Sequence, residues 1–210
     1  PSTFPLGVAV GPGVGLQLSA QNPHPGRLLF IGHHGPYTKD FVWFSDDGGA
    51  TYEMAQTDSM LLMDEAQLVE LPDGRVMANL RNHHVNKSCN CRGVAISSDG
   101  GQTFGQVTYD PTLVSPICMA TILRGAPNSS ARDALFFANP ASTRARTNGH
   151  IRRSDDAGQT WADKALLVGD PYAYSCLAHT PDAETLGLLW ETWEPIGGKH
   201  CNGEACSVVW

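Results

Sequence analysis

SDDGGATY at residues 45–52, SSDGGQTF at residues 97–104 and SDDAGQTW at residues 154–161 are three copies of one pattern. Each copy is a polar turn followed by an aromatic residue, a composition that both folds a β-hairpin and holds it in place. The copies begin 52 and 57 residues apart, and repeats of this length are typical of four-stranded blades arranged radially. The repeat therefore predicts an all-β propeller in which each copy closes one blade.

Length and charge exclude several classes of protein. A chain of 210 residues that is 41% hydrophobic can bury one substantial core, so we expect a single domain. The net charge of −7 argues against a nucleic-acid partner, because such proteins carry basic patches. The sequence has no run of 18 apolar residues, so we expect no transmembrane segment.

The cysteines leave the redox state open. They are Cys89, Cys91, Cys118, Cys176, Cys201 and Cys206. Cys89 with Cys91, and Cys201 with Cys206, could each form or join local disulfides, whereas Cys118 and Cys176 are expected to be core thiols. His83 and His84 precede the first pair, but this spacing fits no usual zinc pattern. We expect neither a metal nor a cofactor.

Short strand-like segments separated by glycine and proline make up most of the chain. The candidate strands are 27–31, 40–44, 66–71, 75–80, 92–96, 134–138, 150–153 and 186–190, and the candidate loops are 1–15 and 124–132. One blade can be laid out in full, with strands at 66–71, 75–80 and 92–97 and a fourth near 104–109. Because antiparallel strands alternate in direction, the repeats should lie at the end of the blade away from the start of its first strand.

Counting from the repeats locates candidate site residues. Glu65 lies 13 residues after Tyr52, and Tyr174 lies 13 residues after Trp161. Both should therefore begin an innermost strand, at the mouth of the central channel.

Other candidates reach the same mouth through their hairpins. Pairing across the turn at 72–74 places Glu65 opposite Arg81 on the neighbouring strand. Glu191 follows Tyr174 by 17 residues, and Arg146 lies in the loop that leads into a third strand. Taken singly, each has an ordinary structural explanation: a surface salt bridge, a tyrosine wedge with a wet hydroxyl, or a solvated basic stretch.

A set of motifs in a fixed order resembles the sialidases (exo-α-neuraminidases), and among them the lysosomal animal type. The motifs are GPGVG at 11–15, GRLL at 26–29, DEAQLVELPDG at 64–74, NLRN at 79–82, NPA at 139–141 with Arg146 and Ser154, YSCLA at 174–178 and LWE at 189–191. In the last motif, Trp190 stands where the family usually has tyrosine. The resemblance implies a six-bladed β-propeller of the sialidase type, of which this chain covers about four blades.

The resemblance also assigns roles to the candidate residues. It implies that Tyr174 is the nucleophile, that Glu65 is its general base, and that Arg81 and Arg146 bind the substrate carboxylate. Glu191 would orient a further arginine. The implied activity is removal of terminal sialic acid from glycoproteins, oligosaccharides or gangliosides with retention of configuration.

Two motifs of the family have no counterpart here. Its first arginine, in F/Y-R-x-P, and its acid/base aspartate both precede the GPG stretch, whereas only ten residues precede that stretch in this chain. We therefore expect residues 1–210 to be a partial propeller domain that lacks its N-terminal blades and is inactive by itself.

Two other functions stay open at this point. A catalytically silent propeller could bind glycans or proteins and use the repeats only as scaffold, and a trans-sialidase, which differs in its acceptor-site aromatic residues, could share the same site. The sequons at 86–88 and 128–130 fit a secretory-pathway protein. Together with the resemblance they lead us to expect a lysosomal or secreted location.

Overall fold

The structure is a computed structural model that describes residues 8–35, 37–83, 89–169 and 171–192 and the backbone of 206–208. All regular secondary structure within these ranges consists of β-strands, so the expected all-β class is confirmed. None of the described residues forms a helix that could cross a membrane. The chain divides into two compact units, Pro1–Pro111 and Thr112–Trp210.

The first sheet has five antiparallel strands. They are β1 (Val8–Val10), β2 (Leu16–Gln17), β3 (Leu28–His34), β4 (Lys39–Ser45) and β5 (Glu53–Met54). Their order is β1-β3-β4-β5, with β2 also paired to β3. The expected loop over residues 1–15 is wrong at β1, where Val8 pairs with His34; residues 1–7 lie outside the described part of the chain.

The second sheet is the blade that could be laid out from the sequence. Its strands are β6 (Met63–Glu70), β7 (Val76–Asn82), β8 (Cys91–Ser97) and β9 (Thr108–Val114), in chain order across the sheet. The first three strands lie where they were predicted, and the fourth begins a few residues later than predicted. The turn between β6 and β7 and the second repeat lie at one end of this sheet, away from the start of β6, as predicted.

The other two sheets also follow chain order. The third contains β10 (Thr121–Arg124), β11 (Leu135–Pro140), β12 (Gly149–Ser154) and β13 (Ala162–Val168). The fourth contains β14 (Ser175–His179), β15 (Leu186–Trp190) and β16 (Cys206–Val208). The sequence predicted β11, β12 and β15 but missed β10, so the expected loop over 124–132 is wrong at Arg124, which ends that strand. It also missed β13, whose largely exposed residues lack a clear alternating pattern. The number of blades in a complete ring stays a prediction.

Each repeat, here called an Asp box, is closed by one carboxylate. In the first box the Ser45 hydroxyl donates to Asp47 at 2.8 Å. Asp47 also accepts from the backbone N–H of Thr51 at 2.9 Å and from its hydroxyl at 2.6 Å. The second box repeats these bonds with Ser97, Asp99 and Thr103, and the third with Ser154, Asp156 and Thr160. The box thus fixes the turn between the third and fourth strands through its own side chains.

Buried contacts hold the boxes to the core. Arg27 is buried and donates to both carboxylate oxygens of Asp46 at 2.7 Å and to the carbonyl of Gly100 at 3.1 Å. Its guanidinium also lies 4.1 Å from the centroid of the Phe44 ring. Arg27 therefore links the first box to the second, since Gly100 belongs to the latter.

Each unit has its own apolar core. In the first unit the buried cluster is Leu18, Leu29, Ile31, Val42, Phe44, Met60, Met63, Ala66, Leu68, Val76, Ala78, Leu80, Ala95 and Phe104. The second unit has a smaller cluster of Ala138, Tyr172, Leu177, Leu188 and Trp190. Successive residues of a strand face a core and solvent in turn. This accounts for the alternation of apolar and polar residues along the strands.

The third box should make the stability of the second unit depend on pH in the acidic range. Hydrogen bonds from the hydroxyl and then the N–H of Thr160 lower the pKa of Asp156 to about 2. The carboxylate therefore contributes stability above the unfolded pKa of about 3.9, and this contribution is lost as the pH falls through about 2. We expect Asp156→Asn to lower the thermal unfolding midpoint at pH 7 and to differ little from the unmodified protein near pH 2.

Asp155→Asn is the matched control for this experiment. Asp155 is the neighbouring residue and pairs with Arg153 at 2.6 Å, but both side chains are substantially exposed. Such pairs contribute about 0–1 kcal/mol, so a smaller effect is expected. Equal losses in the two variants, or a loss that persists undiminished near pH 2, would contradict the role given to the box.

Candidate active site

A β-bulge at the start of β6 determines how Glu65 faces Arg81. The expected register holds from Ala66, which pairs with Leu80, to the end of the strand. It is wrong at Glu65, because the register shifts there and Asp64 is the residue opposite Arg81. In a regular strand, adjacent side chains point to opposite faces. The extra residue of the bulge lets two adjacent carboxylates approach one arginine.

Arg81 lies against both carboxylates. Its Nη1 donates to Oε2 of Glu65 in a close ion pair. Its Nε is 3.1 Å from Oδ2 of Asp64, in an ion pair whose atoms are not aligned as a hydrogen bond. The side chains of Arg81, Asp64 and Glu65 are 8%, 0% and 12% exposed. The predicted Glu65–Arg81 contact is thus present, with a buried second carboxylate behind it.

Two further groups surround this pair of carboxylates. His33 on β3 brings its Nε2 to 3.5 Å from Oδ1 of Asp64. Arg92 at the start of β8 is completely buried and donates to the side chain of Asn79 at 2.8 Å. Arg92 also donates to the backbone carbonyl of Glu65 at 3.5 Å. The bulge is therefore held from the neighbouring strands as well as by Arg81.

Asp40 adds a third carboxyl group to the cluster. It pairs across the sheet with His33, is completely buried, and has no hydrogen-bond partner for either carboxyl oxygen. Burial, followed by the neighbouring charge of Asp64, raises the pKa of Asp40 well above its usual range, although Arg92 opposes the shift. Asp40 therefore retains its proton to a higher pH than an ordinary aspartate.

An aromatic pair lies beside Arg81. The ring of Tyr37 stacks on that of His83, with centroids 4.2 Å apart, and the Arg81 guanidinium carbon is 6.0 Å from the Tyr37 centroid. Tyr37 is 37% exposed and has a φ of 57°, a conformation that is uncommon for a large side chain. Strained residues of this kind often occur at functional sites.

The second unit brings the other three candidates together. The N–H of Glu191 donates to the carbonyl of Tyr174 at 2.8 Å, and the N–H of Tyr174 lies 3.4 Å from Oε2 of Glu191. The two residues face each other where β14 begins and β15 ends, as predicted. The guanidinium carbon of Arg146 lies 5.2 Å from the centroid of the Tyr174 ring. The N–H of Tyr172 donates to the carbonyl of Arg146 at 3.0 Å, which anchors this loop.

Two tyrosines in this segment have different environments. Tyr172 is completely buried and stacks on Trp190, with ring centroids 6.1 Å apart. Burial raises the pKa of Tyr172 well above its usual range. Tyr174 is only half-buried. Tyr174 is thus the accessible phenol, whereas Tyr172 belongs to the core.

The predicted site residues therefore form two groups. Glu65 and Arg81 meet in the first unit, and Arg146, Tyr174 and Glu191 meet in the second. That all five serve one site, and the role given to each, stay predictions. Sequence reasoning missed Asp64, Asp40, His33 and Arg92. The only indication in the sequence of a role for Asp64 was its position directly before Glu65. Because side chains alternate between the two faces of a regular strand, Asp64 was expected on the face opposite to Glu65.

Some of the residues named in the cysteine and metal predictions lie in the described part of the chain. Cys89 and Cys91 are joined in a disulfide, one of the pairings considered from the sequence. Cys118 is buried and Cys176 half-buried. His84, the 86–88 sequon and Cys201 lie outside the described residues. Across the described ranges, no cluster of three or more His, Cys, Asp or Glu residues could hold a metal ion.

Antiparallel sheets closed by Asp boxes, with charged residues at the opposite strand ends, define the class of bladed Asp-box proteins. This chain belongs to the BNR repeat-like domain family, which matches residues 9–188. It is 39% identical over 187 residues to a sialidase from Micromonospora viridifaciens, an alignment that covers 85% of this chain and 28% of the relative.

The chain is also similar to solved structures of sialidases. A Hadza microbial sialidase is similar with a TM-score of 0.74 and 29% identity, over 88% of this chain and 35% of that one. The leech intramolecular trans-sialidase complexed with 2,7-anhydro-Neu5Ac has a TM-score of 0.71 and 27% identity, over 88% of this chain and 29% of that one. The chain spans about a third of the length of these proteins. The resemblance to sialidases is confirmed, while closeness to the lysosomal animal type stays a prediction.

The raised pKa of Asp40 predicts an unusual pH dependence of stability. The folded state holds the Asp40 proton at pH values where the unfolded state, with a pKa of about 3.9, has released it. Asp40 therefore makes the folded state less stable as the pH rises from about 4 toward its raised pKa. We expect Asp40→Asn, which mimics the neutral acid, to be more stabilising at pH 8 than at pH 5, as measured by urea unfolding.

The control is Asp58→Asn, which removes an exposed carboxylate that pairs with Lys39. It should give no gain in stability at either pH. If Asp40→Asn lowers the free energy of unfolding equally at both pH values, Asp40 is charged in the folded protein and its interpretation as a neutral acid is wrong.

Proposed function

We propose that this protein is an exo-sialidase that removes terminal sialic acid from glycoconjugates, with Tyr174 as nucleophile. The observation that carries the proposal is the arrangement of Tyr174, which lies half-buried beneath the Arg146 guanidinium and opposite Glu191. The similarity to sialidases supports the same chemistry. Because this chain spans about a third of those proteins, the activity of the whole protein is part of the proposal.

A phenol suits this substrate for an electrostatic reason. Sialic acid carries a carboxylate directly on its anomeric carbon, so an anionic Asp or Glu nucleophile would be repelled. A tyrosine is neutral until a nearby base removes its proton, and it can then attack without facing the substrate as a fixed charge. The Arg146 cation beside the Tyr174 ring would stabilise negative charge as it develops on the phenol oxygen.

The reaction proceeds by two displacements. In the first, Glu65 takes the phenol proton while the Tyr174 oxygen bonds to the anomeric carbon and the bond to the leaving glycan oxygen breaks. The leaving oxygen takes a proton from an acid, for which the resemblance implies an aspartate. In the second, water attacks the anomeric carbon, its proton goes to a base, and the bond to Tyr174 breaks with return of a proton to the phenol. Two inversions give net retention.

Arginines provide recognition of the substrate carboxylate. The planar guanidinium can donate two parallel hydrogen bonds to a carboxylate, a geometry that an ammonium group lacks. We assign this role to Arg81 and Arg146, one in each unit. Local positive charge at these positions would let a chain of net charge −7 bind an anion.

Loss of the phenol oxygen tests the proposal. In the natural full-length protein, Tyr174→Phe should reduce turnover of a fluorogenic sialoside by about a thousandfold or more, because the nucleophile is gone while the ring remains. Tyr172→Phe is the matched control and should stay within a few fold, since Tyr172 is a core residue. Equal losses in both variants, or none in Tyr174→Phe, would reject Tyr174 as the nucleophile.

A second experiment tests the coupling of Glu65 to Tyr174. If Glu65 removes the Tyr174 proton, the two residues act in one step and their effects should not add. Glu65→Gln in the Tyr174→Phe background should therefore reduce the residual turnover far less than Glu65→Gln does alone. Full additivity would mean that Glu65 acts elsewhere in the reaction.

Product analysis separates hydrolysis from intramolecular transfer. The similarity to the leech intramolecular trans-sialidase favours transfer as a second candidate. Free sialic acid as the product supports the hydrolase, whereas an anhydro product supports transfer. A full-length protein that binds sialosides without turnover would instead be a glycan-binding module.

A further inference from the structure

The Glu65–Arg81 contact raises a difficulty for a general base. A carboxylate paired with an arginine is stabilised in its charged form, and it loses that attraction once it accepts a proton. If Glu65 were the only anion beside Arg81, the guanidinium would lose its partner at the moment when the substrate carboxylate must be held. A second carboxylate beside Arg81 that takes no part in proton transfer removes this difficulty.

We propose that Asp64 is that partner: a positioning residue that holds the Nε edge of Arg81 for substrate-carboxylate binding and leaves Glu65 available for proton transfer. The inference rests on the proposed function, because it assumes that Glu65 and Arg81 act on a sialoside. Asp64 itself is completely buried, so it acts through Arg81 rather than by touching the substrate.

The contacts divide the guanidinium between the two carboxylates. Asp64 approaches Nε at 3.1 Å from the buried side, and Glu65, which is partly exposed, takes Nη1. Two carboxylates on different edges restrain a planar group more tightly than one carboxylate does. The bulge makes this possible, since without it Asp64 and Glu65 would point to opposite faces of β6.

Charged groups from several strands lie around Asp64 and Arg81. They are His33 from β3, Asp40 from β4, Glu65 from β6 and Arg92 from β8. Arg81 and Arg92 bring two positive charges to this cluster, against the two carboxylates of Asp64 and Glu65. The raised pKa of Asp40 limits the charge that a third carboxyl group would add.

The test compares ligands that differ only in the carboxylate. In the natural full-length protein, competitive inhibition is measured with sialic acid and with its methyl ester, which lacks the negative charge. The unmodified protein should prefer the acid. Asp64→Asn should raise KM and reduce this preference by about tenfold, because a misplaced Arg81 distinguishes the acid poorly from the ester. A general loss of stability would weaken both inhibitors alike.

The matched control is Asp40→Asn, which changes a buried carboxyl of the same cluster on a different strand, β4. It should retain the preference for the acid. If Asp64→Asn fails to fold, Asp64→Glu answers the same question, since it keeps a carboxylate but shifts it away from the Nε edge of Arg81. That variant should also lose the preference.

The outcomes distinguish failure of the positioning role from failure of the proposed function. An unchanged preference for the acid in Asp64→Asn, or in Asp64→Glu, overturns the positioning role and leaves the sialidase proposal intact. An equal loss in Asp40→Asn also overturns it, because the effect would then belong to the cluster as a whole. If the unmodified full-length protein binds neither inhibitor, the proposed function itself fails.

Discussion

The carboxylate at the centre of each Asp box is the interaction on which the strand arrangement depends. In all three boxes it accepts hydrogen bonds from a serine hydroxyl and from the N–H and hydroxyl of a threonine, so the turn is closed by its own side chains. A turn closed in this way fixes where the third strand ends and where the fourth begins. The opposite end of the sheet is then fixed as well, and charged side chains such as Glu65 and Arg81 lie there.

Buried charge imposes a second constraint, at that opposite end. Arg81 and Arg92 are taken almost completely out of water in the first unit, and a buried cation needs an anionic partner or a full set of hydrogen bonds. Asp64 and Glu65 balance their charge. Burial raises the pKa of Asp40, so this third carboxyl group takes up a proton more readily than an ordinary aspartate. The cluster is therefore held together by charge matching, with Arg81 buried between two carboxylates.

These two constraints act at opposite ends of the second sheet. The second box closes one end, and the Glu65–Arg81 pair lies at the other, so the box stabilises the strands without touching that pair. The candidate residues come from strand ends and from the loop that carries Arg146. The similarity to sialidases is consistent with the roles proposed above for both groups.

Features that depend on local sequence could be predicted from it. The boxes, the strands that lead into them and the approach of Tyr174 and Glu191 to the same strand end follow from turn chemistry and from counting along the chain. The bulge at Glu65, the placement of Asp64 against Arg81 and the raised pKa of Asp40 could not be predicted in this way. Each depends on burial and on charges brought from strands distant in sequence, from His33 to Arg92, and only the tertiary structure puts those groups together.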